Sequence, residues 1–453
     1  MKNQMKSSLA TWASVLLLGA AVTSCKQELN EVQSEAGASK ARVAATIDLG
    51  SCGVDTDITS NTTWTSDNEY IIRGYVRVLN GATLTIQAGT VIKGDCNGTL
   101  IIERGSRIEA NGTESSPIVF TGVNESRGSW GGVVILGRAS NNEGPNVRIE
   151  GIITVGDPPS ATARGYHGPG TFKEDTQYDG ESSGSLSYVR IDYAGQALSP
   201  NNEINSLTLG SVGSGTLIDH ILVRYAGDDA FEFFGGTVNA KYLGAIATQD
   251  DDFDTDLGHR GKIQFALALR DRTVADISGS NGIETDNNVL AAANNLPRTS
   301  TIFSNVTLLL RGQGDSENAP VAPAFFENGL LLRRGSETKL YNSVFSGWPL
   351  SIEVRDEAVT PCETIVLTTS YTFANPWGVG LCNFGAIGLI EYGLFQSSFY
   401  PGIPDISTQI LYDGTDFSTL DPSFFTPVSF RGASDEFGSF WGYGTPWNPG
   451  PFL

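Results

Sequence analysis

Histidine is scarce in this sequence: three in 453 residues, beside five cysteines and two methionines. No Cys-x-x-Cys pair occurs, so the usual ligand sets for zinc are not available. Basic residues are also few, 29 Lys+Arg against 50 Asp+Glu. The net charge of −21 excludes binding of nucleic acid or anionic lipid by bulk attraction. No Ser–His–Asp order, phosphate-cradling glycine loop or thiol–histidine pair stands out. Beyond the first 25 residues no apolar run approaches the roughly 20 residues that cross a bilayer. Amphipathic helices are missing too, and the nearest candidate is Asp286 to Asn295, DNNVLAAANN.

The first 25 residues are a processing segment. Lys2 and Lys6 precede a mostly apolar stretch from Leu9 to Val22, too short for a membrane anchor. Val22-Thr23-Ser24-Cys25 has the small-residue pattern of a lipobox. The expected organisation is a signal peptide over 1–24, lipidation of Cys25, and a polar, aromatic-free tether over 25–45. The body is then soluble and meets the membrane only through its N-terminal lipid. Lys26-Gln27-Glu28 is similar to the charged surface-export signals of Bacteroidota lipoproteins, which implies an outer-membrane lipoprotein on the cell surface rather than the periplasmic face. The remaining cysteines, Cys52, Cys96, Cys362 and Cys382, are an even count in an exported chain. They predict two disulfides with three possible connectivities, the local choice being Cys52–Cys96 and Cys362–Cys382.

From about residue 46 short runs rich in Val, Ile, Leu and Thr recur between Gly and Asn turns: Tyr75-Val76-Arg77-Val78, Leu84-Thr85-Ile86, Leu100-Ile101-Ile102, Val133-Val134-Ile135-Leu136. Each is too short for a helix and reads as a strand. The spacing says more. Gly215-Thr216-Leu217 leads to Asp228-Asp229-Ala230-Phe231, and Gly236-Thr237-Val238 leads to Asp250-Asp251-Asp252-Phe253, 21 to 22 residues on. Tyr193-Ala194-Gly195 and Tyr225-Ala226-Gly227 correspond at 32 residues, which implies an inserted loop. A ragged period near 22 with three short strands per turn predicts an all-β, right-handed parallel β-helix over 46–346, against a β-sandwich as rival. Over 347–453 the chain turns aromatic-rich, with Trp377, Phe395, Phe399, Tyr400, Phe424, Phe425, Trp441 and Trp447 among others. That region reads as a cap over the end or side of the β-helix, shielding strand edges. A sugar-stacking surface is the alternative.

The phrases Tyr225-Ala226-Gly227-Asp228-Asp229, Phe233-Phe234-Gly235-Gly236-Thr237-Val238 and Gly261-Lys262-Ile263-Gln264 resemble those of exported Bacteroidota and proteobacterial β-helix proteins in the pectin-lyase-like group. The likeness covers about residues 65 to 345. It implies the right-handed β-helix, but no reaction.

Two acidic knots, Asp228-Asp229-Ala230-Phe231-Glu232 and the run from Asp250 to Asp256, lie one period apart. If the second knot is extended, period-2 alternation puts Asp250, Asp252, Asp254 and Asp256 on one face. Asp228 and Asp229 then lie one coil below, about 4.8 Å away. Such a patch of oxygens suits calcium, which accepts about six to eight of them in irregular geometry. The predicted metal set is Asp228, Asp229, Asp250, Asp252, Asp254 and Asp256. The EF-hand pattern is not met, since Thr255 and Gly261 occupy the sixth and twelfth places. The alternative pairs the acids with Arg260, Lys262, Arg270 and Arg272.

Catalysis is the sharper reading of the same residues. Gly227-Asp228-Asp229 reproduces a motif of polygalacturonases, and Gly258-His259 resembles another, which would make Asp228, Asp229 and His259 candidates for an inverting hydrolase. No Asn-Thr-Asp precedes Asp228, however, and Arg260 replaces the Gly after the His. A lyase would use calcium and a base such as Arg270. The expected function is a non-catalytic β-helix binding or scaffold module of the cell envelope. It would hold calcium and engage a polysaccharide or an outer-membrane, nutrient-uptake partner. A calcium-dependent polysaccharide hydrolase or lyase is the alternative.

Overall fold

Strands of two to twelve residues stack in parallel, coil upon coil, and wind a right-handed parallel β-helix. A sandwich of antiparallel sheets is excluded by that pairing. The computed structural model describes residues 44–152, 164–199, 202–288, 295–310, 325–346, 348–355, 367–368, 371–372, 415–434 and 444–449. The expected signal segment, Cys25, most of the tether, Cys362, Cys382, Trp377, Phe395, Phe399, Tyr400 and Trp441 lie outside these residues. So does most of the DNNVLAAANN stretch. The one helical turn among the described residues is a 3-10 turn at Thr176–Tyr178. No helix there is long and apolar enough to cross a membrane.

In the coils around the acidic knots, two faces are made by one bent strand and a third by a short one. The bent strands are Gly184–Asp192, Leu217–Arg224, Asn239–Ile246, Lys262–Leu269 and Ile302–Leu309. Their bends fall at Tyr188, His220, Tyr242, Phe265 and Asn305, whose φ values run from 49° to 61°. A non-glycine residue in the left-handed region is costly. Here the cost is offset by stacking. Tyr188 to His220, His220 to Tyr242 and Tyr242 to Phe265 are 4.3, 4.3 and 5.0 Å apart by ring centroid.

The short strands Leu207–Gly210, Phe231–Phe234, Phe253–Asp256, Ile283–Thr285 and Asn328–Leu332 form the third face. Their inward side chains are apolar apart from Thr255 and Thr285, whose buried hydroxyls bond to each other at 3.0 Å. Phe231 stacks on Phe253 at 5.4 Å, and Ile283 and Leu330 continue the same row. All four are buried, and each ring or branched chain contributes about 1.5–3 kcal/mol relative to exposure. The pairing Phe231 with Phe253 fixes the coil at 22 residues, as the spacing of the two acidic knots predicts.

The outward row of this face changes character along the axis. Arg77, Ile101, Val134, Thr208, Glu232, Asp254, Glu284 and Leu331 occupy successive rungs. Ile101 and Val134 are covered by Val147, Ile149 and Ile152 of a hairpin excursion. Its return is clamped by Arg164 on Asp57 and by the amide of Gly165 on Glu103. The acids follow where that cover ends.

Parallel pairing continues beyond 346, through Leu350–Val354 and Tyr371–Thr372. The described C-terminal residues lie along the bent strands. Gln264 exchanges two hydrogen bonds with the backbone of Thr426, both 2.8 Å, and Trp447 donates to Val189 O at 3.2 Å. Phe425 and Trp447 are buried there, so neither offers a ring face to a sugar.

Cys52 and Cys96 form a disulfide across the first coils, closing a separation of 44 residues. A loop of that length gives about 4 kcal/mol in the chain-entropy account. Replacing both by serine is expected to lower stability by roughly that amount, read as the urea midpoint. An unchanged midpoint would mean that pairing alone holds the first coils.

Candidate metal centre on the outer face

The site is built on a ladder of side-chain oxygens at the entry to the short strands. Asn205 Oδ1 accepts from the amide of Asp229 at 3.2 Å, and Asp229 Oδ1 from the amide of Asp251 at 2.8 Å. Asp251 Oδ1 accepts from the amide of Asn281, and Asn281 Oδ1 from that of Asn328 at 3.1 Å. Each rung uses one oxygen to bind the next coil. In the asparagine rungs the amide nitrogen is spent on a neighbouring acid: Asn205 donates to Glu232, and Asn281 to Glu284 Oε2 at 2.9 Å. In the aspartate rungs the second oxygen is a further acceptor facing other acceptors.

Three groups of carboxylates result, each with oxygens within 4.8 Å of one another: Asp228, Asp229 and Asp250; Asp229, Glu232 and Asp254; Asp251, Asp254 and Glu284. Asp229 and Asp254 each belong to two groups, so the three form one row across three coils. An ionised pair at that separation repels by roughly 3–4 kcal/mol at an effective dielectric constant near 20. Relief from cations is partial. Arg333 forks onto Asp286 with two bonds of 2.7 Å and also reaches Glu284, Arg334 pairs with Asp286, and Arg270 pairs with Asp252 at 3.1 Å. Among the described residues no basic side chain pairs with Asp228, Asp229, Glu232, Asp250, Asp251, Asp254 or Asp256.

Burial and mutual repulsion therefore favour the protonated form of these acids. Asp228, Asp229, Glu232, Asp251 and Asp254 are pushed well above the usual carboxylate range, first by burial and then by one another and by Glu150 and Glu284. Asp250 rises to about 7 through burial and then Asp276; Asp256 rises to about 7 through burial and then Asp286. Asp254 Oδ1 is sealed from solvent with no hydrogen-bond partner. A sealed, unpartnered carboxylate oxygen in an all-oxygen cluster fits a hard divalent cation, with calcium's loose geometry the better match.

The placement brings together Asp228, Asp229, Asp250 and Asp254 of the expected metal set, but not Asp252 or Asp256. The extended strand begins only at Phe253, so Asp254 and Asp256 share its outer side but Asp250 and Asp252 do not. Asp252 is fully buried, turned inward against Arg270 and out of the cluster. Asp256 accepts from the amide of Leu257 and stands beside the three groups, not within them. Glu232, Asp251 and Glu284 join Asp228, Asp229, Asp250 and Asp254 in the three groups. Glu232 was readable as the residue 22 before Asp254; Glu284 lies 30 after it, displaced by the insertion over 271–280. The expected basic partners are also reassigned: Arg260 pairs with Asp179 and Lys262 with Asp421.

Neither candidate base can act at these acids. His259 is fully buried in the coil interior, against Phe233 at 4.9 Å. Its Nδ1 lies 2.8 Å from Thr301 Oγ1 and its Nε2 donates to Val238 O at 3.2 Å; burial and Arg260 depress its pKa to about 3. Arg270 is sealed between Phe326 and Trp348. The hydrolase built on His259 and the lyase built on Arg270 both lose the group they require.

Searches of curated proteins and of solved structures find no match to the chain. A family model described as a pectate-lyase-like β-helix domain matches residues 56–376, which include the whole ladder and all three carboxylate groups. The chain therefore belongs to the family of pectate-lyase-like β-helix domains.

Proposed function

We propose that this chain is a non-catalytic binding or scaffold module of the cell envelope. Its acidic outer row holds calcium and presents it to an anionic glycan or a nutrient-uptake partner. The observation that carries the reading is the row itself: carboxylates shared between adjacent groups, with no basic side chain among the described residues to pair with most of them. Asp228, Asp229, Glu232, Asp250, Asp251, Asp254 and Glu284 would hold the ion. Bound there, calcium supplies positive charge that an acidic ligand can share. The ladder oxygens of Asp229 and Asp251 fix the ligands in place through the backbone of the next coil. The same reading places a lipid on Cys25, tested by the mass of the mature N-terminus.

The experiment is metal analysis of the full chain, followed by retention and product release on a panel of acidic and neutral polysaccharides in calcium and in chelator. Bound calcium with calcium-dependent retention on an acidic polymer, and no products, supports the module. Products lost on Asp228→Asn would make it a calcium-dependent polysaccharide-active enzyme instead. A chain that holds no divalent ion and is indifferent to chelator ends the calcium reading.

A further inference from the structure

Arg270 is buried directly behind the acidic corner. Its guanidinium donates to the backbone carbonyls of Asp250 and, at 3.4 Å, Gln249, and to Asp252 Oδ1 at 3.1 Å. Phe326 lies 5.2 Å and Trp348 5.7 Å from its guanidinium carbon. Ser280 adds a bond to the Gln249 carbonyl at 2.8 Å. The corner from Gln249 to Asp252 carries three consecutive acids, two of which, Asp250 and Asp251, take part in the carboxylate groups. Left alone, these acids would splay apart. The fork pins the inner side of the corner by its carbonyls, which sets the direction in which Asp250 and Asp251 leave it.

A buried ion pair is weak evidence for stability, because well-packed apolar replacements are often as good. Stability alone is therefore a poor account of why an arginine sits here. A cation this close also opposes calcium by charge, so any help it gives must come through geometry. We infer that Arg270, with Asp252, is a positioning pair for the cation site: it withdraws Asp252 from the ligand set and fixes Asp250 and Asp251 at a separation that suits calcium and not magnesium. Magnesium demands a contracted octahedral shell near 2.0–2.1 Å, whereas calcium accepts oxygens at about 2.3–2.6 Å in loose geometry. Carboxylates held by the fork cannot close onto the smaller ion. Released ones can.

This inference rests on the calcium reading above, and the test separates the two. Calcium and magnesium affinities of the full chain are measured by calorimetry for the parent, for Arg270→Lys, and for the charge-conserving double variant Arg270→Met/Asp252→Asn. Melting in chelator reports the fold. Lysine keeps the charge and loses the fork, and the double variant removes both charges at nearly constant volume. If the pair positions the site, both variants lose about tenfold or more in calcium affinity, and the calcium-to-magnesium ratio narrows. A role in the fold alone would lower melting in chelator without changing that ratio. Should the double variant fail to fold, Asp252→Ala alone reads the same ratio, because it removes the acceptor of one prong of the fork. Parent-like affinities for both ions in the folded variants overturn the positioning role while leaving the calcium reading standing. A parent chain that binds no calcium overturns both.

Discussion

Replacing Asp229 and Asp251 together by asparagine is expected to abolish stabilisation by calcium while leaving the calcium-free protein at least as stable as the parent. The ladder explains why the fold survives. Each aspartate contributes one oxygen that accepts the next coil's amide, and an asparagine carbonyl supplies the same acceptor in the same place. Asn205 and Asn281 already do so above and below, and each donates its amide nitrogen to a nearby glutamate. New amides at 229 and 251 would face Glu232, Asp254 and Glu284 in the same way. Acceptor–acceptor contacts become hydrogen bonds, each worth about 1.5–3 kcal/mol when the acceptor is charged. The cation site, by contrast, loses a member of all three groups. At calcium a hundredfold above its dissociation constant the parent gains about 2.7 kcal/mol, which the variant forgoes. Melting with calcium and with chelator reads both halves. An equal calcium shift in the variant would place the ion elsewhere, and a collapse in chelator would show that the coils need carboxylates at these rungs.

The fold was legible because a β-helix writes its period into the chain. Phe231 and Phe253, Asp229 and Asp251, Tyr193 and Tyr225 are stacked neighbours whose spacing in sequence is the length of a coil. What the period cannot convey is direction at the corners. Asp252 was read outward because alternation was extended through Asp250 to Asp256, whereas the backbone leaves the extended form before Phe253, and Asp252 finds Arg270 inside. Insertions hid the rest. Glu284 and the Arg333 that serves it are 49 residues apart in sequence and one rung apart in space. His259 looked catalytic by its neighbours in sequence. Its contacts, Phe233, Thr301 and Val238, belong to three other strands or turns, and no short motif records them. The left-handed corners at Tyr188, His220, Tyr242 and Phe265 were equally unreadable, since nothing about one tyrosine signals the ring stacked on it from the next coil.

Without calcium, stability is expected to fall as pH rises from about 4 to 8; with calcium, that fall is expected to disappear. The sign follows from the direction of the shifts. An aspartate in the unfolded chain loses its proton near pH 3.9. In the folded chain Asp252 keeps its proton to about 6 and Asp250 and Asp256 to about 7, and Asp228, Asp229, Glu232, Asp251 and Asp254 are likewise pushed well above the usual carboxylate range, burial being the first cause throughout. Between those limits the folded state holds more protons than the unfolded one. Each such proton lowers stability by about 1.4 kcal/mol per pH unit, so the contribution is complete below about pH 4 and is lost through 6 to 7 and beyond. Asp175 and Asp416, held low by hydrogen bonds from Thr171 and Ser418, act with the opposite sign, but only below that window. Calcium competes with the protons for the same oxygens, so it gains little at pH 5 and most at pH 8. Melting curves in calcium and in chelator should therefore coincide near pH 5 and separate steadily above pH 6. Curves that stay parallel from pH 5 to 8 would mean that the bound ion, if any, displaces no protons, and that the carboxylate row is not where it sits.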